Sequence, residues 1–294
     1  MTSRKLSIWL DAARPKTLAA ALVPVMVGAA LAWNDGLFRL DTSAVALFCA
    51  FTIQIGTNFA NDYFDFIKGA DTDDRVGFQR ATATGLISSR AMLTATIITM
   101  SIAFLAGLYL VWVGGFVILI IGILSLLFGV LYTGGPFPLG YNGLGDLFVF
   151  IFFGFVAVMG TYYVNALEWS MISFWASIPV GALAVNILVI NNLRDVEQDK
   201  VAGKNTLGVI FGETSLKVEY LLMALLSYPV LFYFYSLDGF SPWIFLPLLT
   251  LPFLLVIFYD IQNHKNKAEL NQTLEQTAQF MILFGVLFTA GIII

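Results

Sequence analysis

The chain carries one cysteine and one histidine in 294 residues, and charge is scarce as well, at 12% Asp, Glu, Lys and Arg. A lone Cys49 inside an apolar run excludes an intrachain disulfide and reads as a small packing residue. His264 stands alone among Lys and Asn, so zinc and haem centres are excluded and a Ser-His-Asp site has no support. The sequence has no Walker-type phosphate loop and no dinucleotide fingerprint after a strand. Short alternating strands between turn residues are missing too, which argues against a membrane barrel. A soluble domain is typically about 25% charged, whereas this chain is 59% hydrophobic with a mean hydropathy of +0.85. These values specify an integral membrane protein seated in a lipid bilayer, with no nucleic-acid partner expected. Residues 1–11 lack the short apolar core and small-residue cleavage site of a signal peptide, so the first apolar segment is expected to remain as an anchor.

Nine apolar windows follow, near 18–33, 43–61, 91–112, 114–132, 144–164, 170–192, 217–235, 241–260 and 277–294. Most reach the roughly 17–25 residues that cross a bilayer as a helix. The expected fold class is all-α, a single polytopic membrane domain over 1–294 with nine transmembrane helices. With a cytoplasmic N-terminus, fourteen of the fifteen Lys and Arg residues fall on the cytoplasmic side and only Arg39 lies opposite. That bias sets the expected topology in the cell membrane. The nineteen acids divide fifteen to four the same way, which the positive-inside rule does not require. A surplus of acids on the inner face therefore needs a chemical reason.

Two clusters hold six of them: Asn58-Phe-Ala-Asn61-Asp62-Tyr-Phe-Asp65-Phe-Ile-Lys68-Gly69-Ala-Asp71 and Asn191-Asn192-Leu-Arg194-Asp195-Val-Glu197-Gln-Asp199. Each ends a long apolar segment, where an ionisable group is a functional candidate. Helical positions three and four apart share a face. Asn58, Asn61, Asp62 and Asp65 are thus expected to form one polar stripe, and Asn191, Asp195 and Asp199 another. Hard oxygen ligands of this kind suit Mg²⁺, with Mn²⁺ as the alternative, and exclude a soft metal. Mg²⁺ usually keeps waters and substrate phosphates in its shell, so two facing sets point to a diphosphate. Lys68, Arg75, Arg80, Arg194, Lys200 and Lys204 stand close behind as partners for phosphate oxygens. A third segment, from Tyr132 through Gly and Pro to Tyr141, Asn142 and Asp146, reads in two ways. It is either part of a polar pocket or a tight turn capped by Asn and Asp.

At these residues the sequence resembles the UbiA superfamily of intramembrane aromatic prenyltransferases, over nearly its whole length. The runs Asn61-Asp-Tyr-Phe-Asp65-x₃-Gly69-x-Asp71, Arg80-Ala-Thr-Ala-Thr-Gly-Leu-Ile-Ser88 and Tyr132-Thr-Gly-Gly-Pro136 are similar to its menaquinone branch, the 1,4-dihydroxy-2-naphthoate polyprenyltransferases. Leu144-Gly-Asp146 and Asn191-Asn-x-Arg-Asp195-x₃-Asp199-x₂-Ala-Gly-Lys204-x-Thr-Leu207 are similar to it too. The resemblance implies that Asn61, Asp65, Asp195 and Asp199 bind Mg²⁺ and a polyprenyl diphosphate, with Asp62 as a helper among the catalytic carboxylates. Asn58, Lys68, Asp71, Arg75, Arg80, Tyr132, Tyr141, Asn142, Asp146, Asn191, Asn192, Arg194 and Lys204 become candidate substrate contacts. Two departures stand out. Gly69 takes a place where other branches carry Asp, and Tyr132 lacks the Lys that follows a comparable Tyr elsewhere. The implied reaction is prenyl transfer to 1,4-dihydroxy-2-naphthoate with loss of CO₂. Another aromatic acceptor (4-hydroxybenzoate or homogentisate) and an ion-coupled secondary transporter are the competing readings. Prenyl chain length and oligomeric state carry no signal in the sequence.

Overall fold

Among the described residues every regular element is helical, in line with the apolar windows. The computed structural model describes residues 2–70, 76–77 and 80–294, with backbone alone for residues 2–4. In chain order the helices are α1 (Thr2–Ala13), α2 (Ala19–Asn34), α3 (Leu40–Ile67), α4 (Ser89–Leu131), α5 (Gly145–Ala166), α6 (Met171–Val201), α7 (Glu213–Tyr235), α8 (Pro242–Asn263) and α9 (Lys267–Ile293).

Local chemistry sets the boundaries. Ser88 and Ser170 sit in extended backbone and accept amide protons of the first turns of α4 and α6, as N-caps do. Pro15 disfavours helix at the residue before it, and there Arg14 takes a left-handed φ of 53°. α1 therefore stops, and the chain bends by 52° into α2. Pro229 breaks α7 after Ser227, and α8 begins with 3₁₀ turns over Pro242–Thr250.

Among the described residues, seven helices, α3 to α9, are long and apolar enough to cross a bilayer, and eight if the bent α1–α2 pair counts as one span. The nine spans expected from sequence are not reached by this count. Two of the expected windows fall within α4, whose 43 residues run through a non-helical Gly115 (φ 72°, ψ −158°). A Cβ built on Gly129 would lie 3.5 Å from the Met100 side chain, whereas a straight helix would separate these positions by roughly 43 Å. α4 is therefore a helical hairpin folded at Gly115.

Both arms of this hairpin flank α3, and α2 packs between α5 and α9. α6 is the central helix, in contact with α2, α5, α7 and α9, and 72% of its most apolar window is buried. Val23, Leu31, Leu183, Ile190, Tyr220, Phe280 and Phe284 fill the core around it. In lipid such packing, together with a few buried polar pairs, holds helices together where the hydrophobic effect does not. Tyr220 bonds to Thr277 at 3.1 Å and Tyr228 to Thr250 at 2.8 Å across the bundle. On the rim Ile97, Leu105, Trp112 and Phe116 are each more than half exposed, as lipid-facing side chains should be. The chain is a multi-pass membrane protein.

Candidate active site

α3 and α6 end in the same way. Gly69 (φ 67°) and Gly203 (φ 71°) supply the left-handed residue that closes a helix C-terminus. The amide of Ala70 then bonds to the Asp65 carbonyl at 2.9 Å, and that of Lys204 to the Asp199 carbonyl at 2.8 Å. A carboxylate from each motif is thus fixed on the last closed turn of its helix. This explains Gly69 physically: a side chain there would strain the cap.

Asp65, with 2% of its surface exposed, collects donors from three segments. Arg80 Nη2 donates to its Oδ2 at 2.8 Å, Tyr141 donates its hydroxyl to Oδ1 at 2.6 Å, and Lys204 Nζ lies 3.4 Å from Oδ1. Lys204 also approaches Asp199 at 3.7 Å. Both Lys68 and Lys204 stand over the Tyr141 ring, at 4.5 and 4.7 Å, within cation–π range. Lys68 donates to the Thr133 carbonyl at 2.6 Å. Burial lowers its pKa from the usual lysine range, against a smaller opposing pull from Asp65.

The second motif carries its own cation. Arg194 grips the neighbouring Asp195 with two N–H donors at 2.7 and 2.8 Å. It also donates to Asn191 Oδ1 at 2.9 Å and Asn271 Oδ1 at 3.0 Å. Asn271, from α9, also donates to the Val76 carbonyl at 3.1 Å. The link after the first motif is thereby tied to the second.

A cavity of about 530 Å³ opens among these groups, lined by Asn61, Asp65, Arg80, Tyr132, Tyr141, Asn191, Asn192, Arg194, Asp195, Asp199 and Lys204. A second, of about 340 Å³, runs between α3, the α4 hairpin and α5, and its walls are mostly apolar (Ile53, Leu108, Leu126, Phe148, Phe152). Asn61, Tyr132, Asn191, Arg14 and Thr17 line both. A charged chamber therefore leads directly into a greasy one.

Several candidates fall elsewhere. Asp62 lines neither cavity; both its oxygens accept backbone amides, from Ala81 and Thr82, each at 3.0 Å. Helix geometry splits the expected stripe into two rows, Asn61 with Asp65 toward the chamber and Asn58 with Asp62 toward neighbouring segments. Asn58 borders the apolar cavity and donates to the Ala13 carbonyl at 2.9 Å and to Thr17 at 3.1 Å. Asn142 donates to the Pro138 carbonyl at 2.7 Å, which is the turn reading of that segment, and Asp146 is buried without lining either cavity. Lys68 stands beside the chamber and is not among its lining residues. Asp71 and Arg75 lie outside the described residues. Sequence reasoning missed Thr133, whose hydroxyl donates to Asn61, and Asn271. It also passed over Arg14 and Thr17. The polar residues of 271–277 at the head of an apolar helix were the available signal for Asn271.

The sequence pattern of the UbiA prenyltransferase family spans residues 21–290. The chain belongs to this family. It is 38% identical to the 1,4-dihydroxy-2-naphthoate octaprenyltransferase of Escherichia coli (strain K12), over 99% of this chain and 98% of that protein. Identity is 36% with the protein of the same name from Mycobacterium tuberculosis, over 95% and 94%. A solved apo structure of a UbiA homolog from Aeropyrum pernix K1 superposes with a TM-score of 0.72 at 16% identity, over 94% of this chain and 98% of that one. A UbiA homolog from Archaeoglobus fulgidus bound to DMAPP and Mg²⁺ gives 0.66 at 17% identity, over 95% and 98%. These structures share the fold.

The chamber can be tested for a divalent cation by its donors. Asn61, Asp65, Asp195 and Asp199 offer oxygen only, from two facing helix ends. Among the described residues no three His, Cys, Asp or Glu side chains already form a cage. Few protein ligands, with water or phosphate completing the shell, is the habit of Mg²⁺. The donor set of this UbiA family member fits that ion.

Proposed function

We propose that this protein transfers a polyprenyl group from polyprenyl diphosphate to 1,4-dihydroxy-2-naphthoate with loss of CO₂, giving demethylmenaquinol for menaquinone biosynthesis. The carrying observation is the junction of the two cavities at Asn61, Tyr132 and Asn191. A diphosphate with a long apolar tail needs both environments, end to end. The octaprenyltransferases that match nearly the whole chain support the acceptor.

In this reading Asn61, Asp65, Asp195 and Asp199 hold Mg²⁺, which when bound supplies positive charge to the diphosphate. Arg80, Arg194 and Lys204 take the remaining phosphate oxygens through charge-assisted hydrogen bonds. The allylic C–O bond breaks with its electron pair leaving on pyrophosphate. The ring carbon that bears the acceptor carboxylate forms the new C–C bond, and CO₂ departs leaving its pair to the ring. No oxidant or reductant is consumed. Apolar walls exclude water from the allylic centre, and Tyr132 at the junction supplies a π face toward it.

Topology completes the proposal. In this reading α4 divides at Gly115 and adds a ninth span to the eight, and the bias of the basic residues supports a cytoplasmic N-terminus and chamber. The test is an assay of the purified protein in detergent with polyprenyl diphosphate, Mg²⁺ and, in separate tubes, dihydroxynaphthoate or 4-hydroxybenzoate. A decarboxylated prenyl naphthoquinol from the first tube alone, lost with EDTA, is the expected result. Product from the second tube alone overturns the acceptor.

A further inference from the structure

Asp62 is a motif carboxylate that does not line the chamber. It is 2% exposed, and each of its oxygens takes one of two consecutive backbone amides, Ala81 and Thr82, at 3.0 Å. Both oxygens of this buried carboxylate therefore have hydrogen-bond partners. Those amides directly follow Arg80. The Arg80 carbonyl is fixed as well, accepting from the Thr84 amide at 3.1 Å and the Thr84 hydroxyl at 3.0 Å. The two peptide units that follow Arg80, 80–81 and 81–82, are therefore held. From this anchored stretch the Arg80 guanidinium meets Asp65 at 2.8 Å.

We infer that Asp62 is a positioning residue, which acts through the Ala81 and Thr82 amides to hold Arg80 over the diphosphate chamber, and is not a metal ligand. The inference rests on the reading of that chamber as a diphosphate site. α3 serves the chamber twice: Asp65 on one row faces into it, and Asp62 on the next row anchors the segment that brings the cation. When Asp65 is engaged by substrate, Arg80 stays in place because Asp62, not Asp65, fixes its backbone.

The experiment compares the full chain with Asp62→Asn, Asp62→Ala, Arg80→Gln, Asp65→Asn and the Asp62→Asn/Arg80→Gln double variant. Initial rates are measured against polyprenyl diphosphate and, separately, against Mg²⁺. Asp62→Asn and Arg80→Gln should each raise KM for the diphosphate about tenfold or more, the usual weight of one charged hydrogen bond. The double variant should be no worse than Arg80→Gln alone. Mg²⁺ dependence should shift for Asp65→Asn and stay in place for Asp62→Asn. Multiplying effects in the double variant, or a Mg²⁺ shift in Asp62→Asn equal to that of Asp65→Asn, overturns the inference. Hydrogen exchange supplies a readout independent of turnover. Amides 81–82 should exchange at least tenfold faster in Asp62→Ala, or in Asp62→Asn if the alanine variant does not fold, with α3 unchanged. Unaltered exchange there also overturns it. An inactive wild-type chain that still shows the exchange effect counts against the assigned reaction and leaves the anchor standing.

Discussion

Lys204 reaches from the second motif to Asp65 of the first, 3.4 Å away. The same ammonium lies 3.7 Å from Asp199, so one cation joins the two carboxylate sets across the chamber. A diphosphate entering between them meets this charge first-hand. Lys204→Met should raise KM for the polyprenyl diphosphate roughly tenfold to hundredfold, matching about 1.5–3 kcal/mol for a hydrogen bond to a charged group. Steady-state kinetics at fixed Mg²⁺ checks this, and an unchanged KM removes Lys204 from the site.

Asp65 carries a structural load as well as a chemical one. Its partner Arg80 has 7% of its side chain exposed, and Asp65 has 3%. Removing one member of a buried pair strands the other, at about 3–5 kcal/mol. Asp65→Ala should abolish turnover and also lower the melting temperature. Asp65→Ala/Arg80→Met should recover most of the stability and none of the activity. Thermal melts beside rate measurements separate the two effects.

The apolar cavity offers a cleaner cut. A Cβ built on Gly122 or Gly160 meets nothing within 4 Å, and both glycines line that cavity. Gly160→Leu should fold normally and push a side chain into the space assigned to the prenyl tail. KM should rise more for long polyprenyl diphosphates than for a short one such as dimethylallyl diphosphate. Equal effects on both would move the tail elsewhere. Gly129→Ala, by contrast, meets Thr57 at 2.7 Å and should lower the melting temperature.

Gly69 and Gly203 test the caps. Nothing crowds a Cβ at either position, so the left-handed φ alone opposes one. Alanine there should destabilise by about 1–2 kcal/mol at each site, with additivity in the double variant. Melting curves of the two single variants and the double variant check this.

Much of this arrangement was legible in the sequence. Apolar windows located the helices, and the Asn191–Asp195–Asp199 spacing of four put all three on one face of α6. The same rule blurred the first motif, because Asn58, Asn61, Asp62 and Asp65 satisfy it as a set. They divide only when neighbours are known: residues 81–82 take one row and the chamber takes the other. Tyr132 and Tyr141 turned inward while Asn142 closed its own turn, a choice made by loop geometry that spacing does not encode. The Gly115 fold was visible as a gap between windows, but the non-helical φ of 72° that folds α4 back on itself is a backbone choice that apolar composition does not encode. Arg14 and Thr17 escaped notice because a short basic entry to a first span reads as a topology signal.

Helix ends ordinarily fray, and a site built on them would loosen with each opened turn. Here the hydrogen bonds from Ala70 to Asp65 and from Lys204 to Asp199 lock the last turns of α3 and α6 shut. Widening the chamber by unwinding its rims would have to break these bonds first. Both acidic helix ends that face the chamber are thus held by the same closing device, one glycine and one backbone bond apiece.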